Sequence, residues 1–205
     1  MNLNKLNKII LASQSQARRN LLVNLGVKAE IIVTDADETL NGEYSPENMV
    51  MELAQRKAKK AKKDLNNITD ILECLIITAD TVVVHNRQIL GKPSDAADAF
   101  KMMTAMSGTS HEVYSGITLV LNNKILTDYD VTKVKFREIS PGEIDLYIKT
   151  GDPLTKAGSY RAEGIGSTFI EKIEGDFFNI VGLPVNKFIK MLKTGWDLTI
   201  FDLMT

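Results

Sequence analysis

Leu75-Ile76-Ile77-Thr78-Ala79-Asp80-Thr81-Val82-Val83-Val84 is the stretch on which the reading of this chain turns. A nearly apolar run from Leu75 to Ala79 ends on an acid, and Thr81 to Val84 resume the run, so the stretch reads as a buried strand. Taking an isolated charge out of water is very costly, so a carboxylate there must be paired, metal-bound or functional. Asp80 is therefore the first candidate for chemistry.

Working outward, Lys8 to Ala12 read as a short strand, and Ser13-Gln-Ser-Gln-Ala-Arg-Arg19 then opens a helical pattern that stops at Gly26. A second strand is expected over Glu30 to Val33, followed by the acidic stretch Thr34 to Glu38, a polar loop to Pro46 and a long helix to about Leu65. After the central strand, Asn86-Arg87 reads as a hairpin turn before Gln88 to Leu90. Gly91-Lys92-Pro93 then breaks the chain ahead of a helix from Asp95 to Met106. Two β-rich runs, 112–121 and 124–137, flank Asn122-Asn123. Ser140-Pro141-Gly142-Glu143 has the serine, proline and glutamate of a helix start, and that helix should end near Thr150-Gly151. From Gly151 to Pro184, glycines alternate with short strand-like pieces, which reads either as a segment shaped around something or as ordinary tight turns. Residues 185–194 form a last helix.

At 205 residues the chain suits one large domain or two closely joined lobes. Its single cysteine, Cys74, permits no disulfide framework and reads as a small core hydrophobe, which fits a reducing cytoplasm. A net charge of -1 lacks the basic footprint of a nucleic-acid binder, so any bound anion should be small. No apolar stretch approaches the roughly 20 residues needed to span a bilayer, and Met1 to Ser13 holds no long apolar signal segment, so no membrane association is expected.

Several groups could join Asp80. Arg18 and Arg19 lie just inside the first helix, where free N–H groups and the helix dipole favour an anion, and Ser13 and Ser15 add hydroxyls. They read as a phosphate site or as solvated arginines on a capped helix. In the long helix, Val50, Ala54, Ala61 and Leu65 form one apolar stripe, and most lysines of the run Arg56 to Lys63 fall opposite. Lys57 lies on the stripe itself, so its ammonium either snorkels out or points into an interior cleft. Lys92 sits in a rigid Gly-Lys-Pro turn, fixed near a ligand or simply exposed. Glu38, a surface acid or a ligand, could with Asp80 supply oxygens to Mg²⁺ or Mn²⁺. His85 and His111 stand alone, without zinc-ligand spacing.

These pieces resemble the Maf family of nucleoside triphosphate pyrophosphatases along nearly the whole chain. The resemblance rests on Leu11 to Arg19 (LASQSQARR), Asp37-Glu38, Ala79-Asp-Thr-Val82, Gly91-Lys-Pro93 with Met106-Ser-Gly108, and Lys156-Ala-Gly-Ser-Tyr160 running on to Gly182-Leu-Pro184. It implies a single α/β domain over residues 1–205, Maf/ITPase-like, with an elongated mixed β-sheet flanked by helices and two lobes around a central cleft. It implies hydrolysis between the α- and β-phosphates to a nucleoside monophosphate and pyrophosphate, a house-cleaning activity in the cytoplasm, in a homodimer that uses a divalent metal cation (Mg²⁺, Mn²⁺ or Co²⁺). By position, Asp80 would accept the proton of the attacking water, Ser13, Arg18, Arg19, Lys57 and Lys92 would line the phosphate channel, and Glu38 with Asp80 would hold the metal. The family is also associated with inhibition of septum formation, so nucleotide binding without turnover is the alternative.

For the base, the chain resembles two subfamilies at once. The spacing Ser13-x-Ser15-x-x-Arg18-Arg19 and the segment from Pro153-Leu154 to Ser159-Tyr-Arg-Ala-Glu-Gly164 are similar to 7-methyl-GTP pyrophosphatases, and Thr81 is similar to those acting on dTTP and UTP. A carboxylate only accepts hydrogen bonds, which suits the N–H groups on guanine's edge, whereas glutamine offers a donor and an acceptor, which suits thymine or uracil. Glu163 thus places 7-methyl-GTP first and dTTP/UTP second. Ala17 stands where an aromatic side chain would reward a methylated, cationic base.

Overall fold

The computed structural model describes residue 6, residues 8–65 and residues 73–204. Among them, seven strands form one mixed sheet flanked by helices. The strands are β1 (Lys8–Ala12), β2 (Glu30–Ile32), β3 (Cys74–His85), β4 (Gln88–Leu90), β5 (Ser110–Leu121), β6 (Lys124–Phe136) and β7 (Ile170–Glu174). Their order is β2-β1-β3-β5-β6-β7, with β4 paired to β3. β1 runs parallel to both β2 and β3, with Leu11 opposite Ile31 on one side and Ile77 on the other. A strand enclosed on both sides and both faces needs no polar alternation, which is why β1 and β3 read as continuous apolar runs. Both hairpin turns, Asn86-Arg87 and Asn122-Asn123, hold two residues at positive φ, the geometry that matches strand twist in two-residue turns.

The helices are α1 (Gln16–Asn24), α2 (Pro46–Asp64), α3 (Ala96–Met106), α4 (Pro141–Lys149), α5 (Phe177–Val181) and α6 (Val185–Trp196). In α4 the expected capping box is present: Ser140 Oγ accepts the Glu143 N–H at 3.3 Å, and Glu143 Oε2 accepts the Ser140 N–H at 3.0 Å. The glycine-rich segment differs from its reading. Instead of several strand-like pieces it makes three 3₁₀ turns, over Asp152–Thr155, Ala157–Ser159 and Gly164–Phe169, before the one strand β7. Adjacent left-handed residues, Gly158 at φ 66° and Ser159 at φ 59°, turn the backbone too sharply for a strand.

The chain divides into two compact units. The first comprises Met1–Asp80, Ser115–Asp130 and Gly182–Thr205, and the second Thr81–Tyr114 and Val131–Val181. In the first unit α2 lays Ala58, Ala61 and Leu65 against Ile10, Ala12, Ile76 and Val120. In the second, Phe136, Tyr147, Tyr160 and Phe169 pack with Met103, Met106 and Val134.

A polar island lies inside the second core. His111 is 2% exposed, its Nε2 is 2.9 Å from Tyr160 Oη, and Phe136 and Tyr160 stand edge-on to its ring. Nδ1 has no hydrogen-bond partner, so an imidazolium here would bury an unmet N–H. Burial, reinforced by the charge of His85, pushes the His111 pKa down to about 4. Burial lowers the pKa of His85 as well. The unfolded chain therefore binds protons that the fold refuses, and stability is full above pH 6.5 and falls as pH drops from there toward 4. Urea midpoints measured from pH 7.5 to 4.5 should fall by the equivalent of roughly 3 kcal/mol if His111 titrates alone. His111→Gln, which keeps a partner for Tyr160 and cannot titrate, should flatten most of that slope.

Candidate active site

Asp80 stands two residues after Thr78 on one face of β3 and is 9% exposed. Its Oδ1 accepts from Lys57 Nζ at 2.5 Å, and the same ammonium reaches Glu38 Oε1 at 3.0 Å. Lys57 thus neither snorkels nor stays free. Its side chain is 15% exposed and bridges a carboxylate from a strand and one from the loop after β2. The pairing rests on two contacts the sequence reading did not single out. Thr78 Oγ1 donates to Ala54 O at 2.7 Å, tying strand to helix one step below the ion pair. On β5, a Cβ on Gly116 would overlap Val50 O and lie 2.8 Å from Met51 N. The backbone of α2 lies against β5 there because Gly116 has no side chain. A threonine inside an apolar run and a glycine inside a strand were the available signals.

The β1–α1 turn supplies the cations. Ser13 Oγ accepts from the Ser15 N–H and from Arg18 Nη1, both at 3.2 Å, and Ser15 caps α1 by accepting the Arg18 N–H at 3.4 Å. Arg18 Nε donates to Gly182 O at 2.7 Å, so the arginine joins the start of α1 to the turn before α6. Burial pushes the Arg18 pKa down, and the charges of Asp80 and Glu38 oppose that shift. Arg18 therefore sits in the field of both carboxylates. Arg19 is exposed, and Ala17 half-buried. Elsewhere in the basic run Lys60 pairs with Asp64 and Lys62 reaches Asn123 Oδ1.

Ser13, Ala17, Arg18, Arg19, Glu38, Lys57 and Asp80 belong to the first unit; Thr81, Lys92 and Glu163 belong to the second. Thr81 follows Asp80 on the same strand and faces the opposite side of it. Lys92 is exposed in a turn whose Gly91 O accepts the Gly158 N–H at 3.0 Å. Glu163 is half-buried, and its carboxylate has no hydrogen-bond or ion-pair partner among the described residues. Its loop is fixed by Arg161, whose N–H meets Tyr147 Oη at 3.1 Å and whose Nε meets Glu163 O at 3.3 Å.

Among the described residues no helix is long and apolar enough to cross a membrane, and no three metal-capable side chains gather. Two carboxylates do converge on one cationic group, the Lys57 ammonium. Hard oxygen donors of this kind suit Mg²⁺ or Mn²⁺, ions that protein sites commonly hold by one or two carboxylates with water and substrate phosphates.

Comparison with known proteins identifies the family. The family described as Maf-like protein matches residues 8–195. A dTTP/UTP pyrophosphatase of Bacillus cereus is 44% identical over 91% of this chain and 94% of its own length. One from Bacillus anthracis is 43% identical over the same shares. Among solved structures, the Staphylococcus aureus Ham1 protein aligns over 80% of each chain at 16% identity with a TM-score of 0.44.

The close approach at Gly116 gives a direct test of how the site is positioned. Gly116→Ala should push α2 outward, lower stability by about 1–3 kcal/mol and reduce the activity assayed below. Gly142→Ala, where a Cβ meets open space, should do neither.

Proposed function

Because this chain belongs to the Maf family, matched from residue 8 to residue 195, we propose that it hydrolyses pyrimidine nucleoside triphosphates, dTTP and UTP, to the monophosphate and pyrophosphate. The observation that carries the reading is the bridge Glu38–Lys57–Asp80, with Arg18 within its field. A triphosphate carries several negative charges, and splitting it requires cations on the phosphates and a group to take the proton of the attacking water.

In this reading Asp80 accepts that proton. Ser13, Arg18 and Arg19 bind phosphate oxygens at the start of α1, where the first N–H groups and the dipole already favour an anion. Lys57 leaves its carboxylates for the phosphates as these arrive, and Lys92 contributes a further ammonium. Glu38 and Asp80 would hold a divalent cation, which would offset charge on the phosphates.

The pyrimidine substrate is preferred because relatives at 41–44% identity over 91% of the chain are named dTTP/UTP pyrophosphatases. This reverses the order expected from the sequence, in which 7-methyl-GTP stood first. Glu163 supports a second reading, a guanine-type base, because its unpartnered carboxylate can only accept.

Pyrophosphate release from dTTP, UTP, GTP and 7-methyl-GTP, with Mg²⁺, Mn²⁺ and Co²⁺ in turn, tests both readings. Turnover of dTTP and UTP well above the guanine nucleotides supports the first; the reverse order selects the second. Asp80→Asn should cut turnover roughly 100-fold or more while nucleotide still binds. A protein that only binds nucleotide would release no pyrophosphate before or after that change. Glu163→Gln should raise the dTTP rate relative to the GTP rate, and an unchanged panel would remove Glu163 from base recognition.

A further inference from the structure

Glu38 lies in the irregular loop between β2 and α2, with a side chain 59% exposed, and yet its Oε1 is placed on the Lys57 ammonium. The loop has one constraint of its own, a turn over Asp37 to Thr39, and its anchor from outside comes from α2. Arg56 Nη1 donates to Asp37 O at 3.3 Å and to Thr39 O at 2.7 Å, the carbonyls on either side of Glu38. Arg56 Nε donates to Glu52 Oε1 at 2.8 Å, one turn back on the helix, so the guanidinium plane is held before it reaches the loop. Asp37 Oδ1 accepts the Thr39 N–H at 2.8 Å and closes the same three residues into a turn.

We propose that Arg56 is a positioning residue for the reaction: it clamps the backbone on both sides of Glu38 and so sets that carboxylate beside Asp80, where the two share a cation. The inference rests on the pyrophosphatase reading for what Glu38 does, but not for where Arg56 puts it. A guanidinium is suited to the task because its planar fork can serve a carboxylate through one edge and carbonyls through another, which an ammonium cannot do with the same fixed geometry. Glu52 and Arg56 are an i, i+4 pair on a surface helix, and such a pair alone contributes little to stability. If holding α2 together were its whole role, its loss would be nearly silent.

The test measures Mn²⁺ affinity directly, from the paramagnetic resonance signal of the free ion, with a non-hydrolysable dTTP analogue present. Arg56→Gln should weaken Mn²⁺ binding by at least fivefold and raise the Mn²⁺ concentration for half-maximal turnover in parallel, while kcat at saturating metal stays within about twofold of the parent. Arg56→Lys should not restore affinity. Glu52→Gln, which unlocks the guanidinium without touching its carbonyl bonds, should give a smaller loss in the same direction. Circular dichroism melts identify any variant that fails to fold, and the Glu52→Gln result then carries the test. Unchanged Mn²⁺ affinity in folded Arg56→Gln, or full rescue by Arg56→Lys, would overturn the proposal. Absence of pyrophosphate release from the parent with every nucleotide would instead overturn the functional reading, and the Mn²⁺ titrations would still report on Arg56.

Discussion

The carboxylate of Asp80, placed in the middle of a strand that is otherwise almost wholly buried, is the constraint around which the first unit is arranged. Leaving it unpaired would cost several kcal/mol, and Lys57 supplies the opposite charge at 2.5 Å. That pairing requires a helix whose lysine faces inward, close enough to β3 for the two groups to touch. Thr78 and Gly116 meet the requirement in different ways, one by a hydrogen bond to Ala54 and the other by having no side chain where Val50 passes. A single buried charge thus dictates the composition of two strands and one helix face.

Much of this was legible because the important residues break the pattern around them. Asp80 interrupts an apolar strand and Lys57 interrupts the apolar stripe of α2; each is costly alone and satisfied together. Outside the glycine-rich segment, strands, helices and hairpins are legible because their apolar periods and turn residues agree with the packing. What could not be read was which partner each anomalous group meets, since Lys57 and Asp80 are separated by 23 residues and Arg18 and Gly182 by 164. Glu38 lies in a loop, where no period links a residue to a direction. The segment after Gly151 defeated the reading for a local reason: 3₁₀ turns with left-handed residues have neither a strand's alternation nor an α-helix's stripe.

The two adjacent arginines of α1 illustrate a division that sequence alone does not reveal. Arg18 spends one side of its fork on Gly182 O and another nitrogen on Ser13, which fixes its place at the cost of mobility. Arg19 is exposed and keeps the freedom to follow an incoming anion. A pre-set cation lowers the ordering cost when a charged ligand binds, and a mobile one accommodates its shape. The pair therefore does more than a doubled charge would.

So polar a site coexists with folding because its charges are paired among themselves. In the first unit Asp80 and Glu38 are met by Lys57, with Arg18 in their field, so none of these charges waits unopposed for a ligand. A triphosphate arriving with its own charges would exchange these internal partners for new ones instead of filling an unpaired site. The affinity left over is the difference between two sets of charge pairs, which is small compared with either. That difference depends on where each group is held, and of the three bridged groups Glu38 is the one on a loop and the most exposed, its side chain 59% against 15% for Lys57 and 13% for Asp80. The positioning of that one carboxylate from α2 is accordingly where small changes in structure should have their largest effect on function.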